Sequence, residues 1–133
     1  MRRLTVAVMA ALACAAAAGC GGTSGDILGL GMSGGPAKQT DHMHVTEDGR
    51  GSCNKKPLHT LPSATVIKAR GLVRDAKDLA KTGASFGQPT AGLRNFELRT
   101  PDGTVTWVEN APQLPRVLSD AELLTLQLSR ELC

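Results

Sequence analysis

The residues best suited to chemistry in this chain lie in "DHMHVTED", positions 41 to 48. His42 and His44 are two apart, so on an extended backbone both imidazoles stand on the same side. Imidazole suits Cu(II), Ni(II) and Zn(II), and Met43 with Met32 would add thioethers for Cu(I). Asp41, Glu47 and Asp48 supply carboxylates nearby, and His59 is a further candidate ligand. The transition-metal reading therefore rests on His42 and His44. A solvated polar segment is the competing reading, because a folded metal site usually brings three or four ligands fixed by their neighbours.

The remaining chemistry is sulfur chemistry. Of the four cysteines, Cys53 and Cys133 bracket the region with the strongest periodicity. In an oxidising compartment their pairing closes a loop of about 80 residues, which the chain-entropy model values at ~4–5 kcal/mol. Two reactive thiols, or Cys133 joined to a second chain, are the alternatives. No Cys-x-x-Cys, nucleophile elbow, phosphate loop or dinucleotide fingerprint is present, so the expected role is noncatalytic.

Cys14 and Cys20 belong to the N-terminus. Met1-Arg2-Arg3 is followed by an uncharged run from Leu4 to Ala18 and then Gly19-Cys20. This is the three-part pattern of a secretory signal, too short for the roughly 20 residues of a spanning helix. Ala17-Ala18-Gly19-Cys20 resembles a bacterial lipobox, with Ala17 where leucine is commoner. The resemblance covers only these first residues. It implies a lipoprotein: cleavage before Cys20, acylation (palmitate) of Cys20, and a domain held at a membrane of the cell envelope. Residues 1–19 are then the signal peptide.

The elements that must position these groups follow from patterning. Residues 20–52 are rich in glycine, and "GGTSGDILGLGMSGGP" reads as a flexible tether, with Ile27, Leu28 and Leu30 incidental to it. The folded domain is expected over residues 53–133. "SATVIKARGLVRDAKDLAKTG" gathers Val66, Ala69, Leu72, Val73, Ala76, Leu79 and Ala80 on one helical face, opposite a basic one. Ser63 or Thr65 would cap its start and Gly83 its end. "NFELRTPDGTVTWVE" reads as a hairpin; an Asp102-Gly103 loop pairs Leu98 with Trp107 and puts Phe96, Leu98, Val105 and Trp107 on one face. "LSDAELLTLQLSRELC" reads as a helix with a Ser119–Glu122 capping box and a Leu118–Leu123 staple.

The fold class is thus α+β: one small domain of amphipathic helix, hairpin and C-terminal helix, stapled by a disulfide. A formal charge of +3, two of it carried by Arg2 and Arg3, gives no argument for nucleic acid. The leading function is a lipid-anchored binding or assembly module with an envelope protein as partner, using the basic helix face or the hairpin edge. The alternative is an envelope metal-binding protein.

Overall fold

Alternation of large apolar residues with small or polar ones organises most of the chain. In the computed structural model, which describes residues 25–133, seven strands and three helices follow in the order β1(Asp26–Gly34), β2(Gln39–Thr46), β3(Arg50–Cys53), β4(His59–Thr60), α1(Ser63–Asp75), α2(Lys77–Thr82), β5(Ser85–Phe86), β6(Arg94–Thr100), β7(Gly103–Val108) and α3(Arg116–Leu132). The signal peptide and Cys20 lie outside the described residues. The strands form one sheet ordered β4-β3-β2-β1-β6-β7-β5. Every pair is antiparallel except β5 with β7.

One face of this sheet carries the core. Leu28, Leu30 and Met32 of β1 join Met43 and Val45 of β2, Phe96 and Leu98 of β6, and Val105 and Trp107 of β7. The helices cover that face with Ala69, Leu72, Ala76, Ala80, Leu118, Ala121, Leu124 and Leu128. With few aromatics to fill space, Phe96 and Trp107 matter most. They are register partners, and their rings stack with centroids 5.5 Å apart.

The α+β class holds, but the tether does not. Residues 26–53 are three strands of the sheet, with β1 in its middle, so the folded domain begins near Asp26 rather than at Cys53. Ile27, Leu28 and Leu30, read as incidental, are core residues. Glycine lowers strand propensity by its freedom in the unfolded chain, but here β1 is paired on both sides and buries every second side chain. Those gains outweigh the local preference.

Other differences are local. The expected single helix divides at Ala76 into α1 and α2, and its N-cap is Pro62 with no side-chain cap. Gly83 does close α2 in the left-handed conformation. The hairpin keeps the expected parity, but its register is displaced by two. Thr100 pairs with Gly103, Leu98 with Val105 and Phe96 with Trp107, so Pro101-Asp102 is the loop. Gly103 has a φ of 146°, and a Cβ there would lie 2.2 Å from the Ala80 carbonyl oxygen; α2 packs against the turn at a position open only to glycine. α3 begins at Arg116 behind Pro115, one turn before the expected cap, and Leu123 is exposed rather than stapled.

Cys53 and Cys133 form a disulfide within the chain, Cα to Cα 5.2 Å. It ties β3 to the end of α3, so Cys133 is not available to a second chain.

Candidate functional site on the open sheet face

The strand period that sends Leu28, Leu30 and Met32 inward sends Gly29, Gly31 and Ser33 to the opposite face. No helix covers that face among the described residues. Register fixes what flanks the two glycines. Gly29 lies between His44 of β2 and Arg99 of β6, and Gly31 between His42 and Glu97. The result is a trough floored by β1, with imidazoles on one wall and an ion pair on the other. Walls two strand spacings apart stand roughly 10 Å from each other at the backbone.

The histidine wall is anchored from behind. Ser52 of β3 is the register partner of His44, and its Oγ lies 3.2 Å from His44 Nε2. The Asn54 side chain accepts a hydrogen bond from the His42 backbone N–H at 3.0 Å. Nδ1 of His42 leans inward, 3.6 Å from where a Gly31 Cβ would be. On the far wall, Glu97 accepts from Arg99 Nε, and Glu97 Cβ lies 3.3 Å from that same vacant Cβ position. At the β1-start end, a hollow of about 370 Å³ opens between His44, Asn54, Arg99 and Pro101. At the other end, a hollow of about 380 Å³ is bordered by Ser33, Asn95, Thr106 and Phe86.

Ser52 and His44 have the spacing of a nucleophile and its base, but Ser52 is only 2 % exposed. Among the described residues no carboxylate hydrogen-bonds the other nitrogen of His44. The hydroxyl therefore orients the ring rather than meeting a substrate.

The "DHMHVTED" cluster is divided by its own strand. His42 and His44 face the trough, whereas Asp41 and Met43 point into the core and are buried. Met32 is buried there too, so the expected thioethers are on the wrong face for the histidines. Asp41 accepts hydrogen bonds from Ser129 Oγ, at 2.7 Å, and from Gln39. Its carboxylate lies within 4.8 Å of the Cys53 and Cys133 sulfurs, both committed to the disulfide. Glu47 and Asp48 occupy the β2–β3 turn, and His59 is on the edge strand β4.

The surfaces expected to recognise a partner fare differently. Lys68, Arg70, Arg74, Lys77 and Lys81 are exposed on the helices, but Arg74 is paired with Asp75, and Arg70 donates to the Glu47 carbonyl at 3.1 Å. The hairpin's outer edge is partly covered, by β5 at Thr106 and Trp107. β6 is interior, β5 sits against β7, and the outermost strands have two residues each. Such short edges discourage pairing with another chain.

Sequence reasoning found His42 and His44 and missed Gly29, Gly31, Ser52, Asn54, Glu97 and Arg99 as their surroundings. The available signal was the alternation of Leu28, Leu30 and Met32 with the small residues Gly29, Gly31 and Ser33. Comparison of the chain with protein-family models, with curated proteins and with solved structures finds no match.

Proposed function

We propose that this chain is a noncatalytic, lipid-anchored envelope protein that binds a polar partner through the open face of its sheet. The observation that carries the reading is the glycine floor. Mid-strand glycine is unfavourable by roughly 0.5–1 kcal/mol relative to alanine, and at Gly29 the fold does not require it. A Cβ there would meet only ordinary contacts, at 3.6 Å or more. Gly51 differs, because a Cβ would press within 2.9 Å of Leu61 in the core. Glycine at 29 leaves room on an exposed face, as close approach of a ligand or another backbone would demand.

The face is polar. The exposed large hydrophobic residues Leu58, Ile67 and Leu123 all lie elsewhere, which favours a protein or small polar ligand over lipid as occupant. The lipobox resemblance supplies the membrane. With acylation at Cys20 and the sheet starting at Asp26, the short run of sequence between them limits the separation to at most roughly 20 Å. The domain then rides at the lipid surface, not on a long arm.

Two changes test this. Cys20→Ala is expected to move the protein from the membrane fraction to the soluble fraction. Gly29→Val is expected to leave membrane attachment intact and abolish partner capture; retained capture would remove the trough from the reading. A second reading, metal binding, is favoured by one observation: His42 and His44 share the open face, His42 across Gly31 from Glu97 and His44 across Gly29 from Arg99.

A further inference from the structure

We infer that the outward side of the helix layer lies against an anionic lipid surface, through the basic side of α1 and α2 with Ile67 and Leu123 as apolar contacts. This rests on the lipid-anchored reading and adds which side of the domain the membrane meets. Charge is divided unevenly over the described residues. α1 and α2 carry Lys68, Arg70, Arg74, Lys77 and Lys81 against Asp75 and Asp78, an excess of three. The described residues as a whole exceed neutrality by only one, once Arg2 and Arg3 are set aside from the chain's +3. Among the described residues Lys68, Lys77 and Lys81 are exposed and join no ion pair. Arg74 is paired only with its neighbour Asp75, in an exposed contact that contributes little and that a phosphate can replace.

Two apolar side chains stand out on the same layer. Ile67 on α1 is 69 % exposed and Leu123 on α3 is 67 % exposed. Between these helices a hollow of about 370 Å³ is lined by Leu72, Leu123 and Leu124, with Lys68, Asp75 and Asp120. Lysine and arginine beside exposed aliphatics suit the headgroup region of a bilayer. The chain's own path brings α1 to the anchor. The Gly25 carbonyl accepts from the Glu47 N–H at 2.9 Å, and the Glu47 carbonyl accepts from Arg70 Nη2 at 3.1 Å. The described chain therefore starts with only Glu47 between it and α1, and the short run of sequence back to Cys20 limits the separation to at most roughly 20 Å. The helices cover the opposite side of the sheet from the glycine-floored trough, so this docking turns the trough away from the membrane.

The test is amine labelling of the full chain, purified with its anchor and reconstituted on vesicles of phosphatidylcholine alone or mixed with phosphatidylglycerol. The expected result is slower labelling of Lys68, Lys77 and Lys81 on the anionic vesicles, reversed by high salt. Lys38, in the turn at the far end of β1, should label alike on both. A photoreactive residue at Ile67 should form phospholipid adducts on the anionic vesicles. The combined Lys68→Gln, Lys77→Gln and Lys81→Gln substitutions should lower that yield by about tenfold or more, at roughly fivefold for each charge near the surface. Equal labelling on both vesicles, equal protection of Lys38, or an adduct yield unmoved by the triple substitution overturns the proposal while attachment through Cys20 stands. Cys20→Ala on the same vesicles tests the anchor separately. Attachment and a labelling pattern that survive it would remove the lipid anchor and leave the helix face as the membrane contact.

Discussion

Trp107 on β7 donates a hydrogen bond through Nε1 to Glu122 Oε2 on α3, at 3.2 Å, joining the hairpin to the C-terminal helix. The indole is 1 % exposed, so water cannot replace its acceptor. Glu122→Ala should destabilise the fold by about 1–3 kcal/mol, the cost of an orphaned buried donor, and Glu122→Gln should recover most of it. Ser119 makes no cap, so Ser119→Ala should stay within about 0.5 kcal/mol of the parent. Urea denaturation of the three variants separates this role for Glu122 from a capping box.

The same residue shows why the sequence was legible in part. Ser119 and Glu122 have capping-box spacing, but Pro115 with its fixed φ starts α3 one turn earlier and frees Glu122 for Trp107. In the hairpin, alternation determines which residues share a face, so Phe96, Leu98, Val105 and Trp107 were grouped correctly. It does not determine register, which places Pro101-Asp102 in the loop and Gly103 against Ala80 of α2. Strand β1 was hidden because glycine at 29 and 31 resembles a linker in composition. Only pairing with β2, next along the chain, and with β6, remote in sequence, reveals it as the sheet's centre. His42 and His44 were identifiable by type and spacing; Glu97 and Arg99 reach them only through that pairing.

The glycines separate function from packing. Gly29→Val should leave stability unchanged or raise it by up to about 1 kcal/mol, since it adds strand propensity where a Cβ meets only ordinary contacts. Gly51→Ala should lower stability by about 1–3 kcal/mol by overpacking against Leu61, Leu132 and the His44 carbonyl. Thermal melts of the two variants give the comparison. Equal losses would mean that the fold needs both glycines alike.

The Cys53–Cys133 bridge closes a separation of 80 residues. Its loss by Cys53→Ser with Cys133→Ser should cost about 2–5 kcal/mol. Alkylation of the folded chain before reduction should label neither residue, and intact mass would read this directly.

Acid stability has one identifiable contributor in the β2–β3 turn. The Thr46 hydroxyl holds the Asp48 carboxyl below its ordinary 3.8, against the opposing effect of burial and with smaller help from Arg50. A carboxyl lowered in the folded state stabilises the fold above its unfolded value and ceases to do so as pH falls through the folded one. The stability gap between the parent and Asp48→Asn should therefore be full at neutral pH and close progressively below about pH 4. Urea midpoints across that range would show it; a gap independent of pH would assign the contribution to packing instead.

The most direct measurement is site-specific photo-crosslinking in intact envelopes, with the probe placed in turn at Thr106 on the open face and at Leu123 on the helix layer. The account predicts a discrete crosslinked partner from Thr106, lost in Gly29→Val, and none from Leu123. A partner captured only from Leu123, or capture from Thr106 unaffected by Gly29→Val, would contradict it.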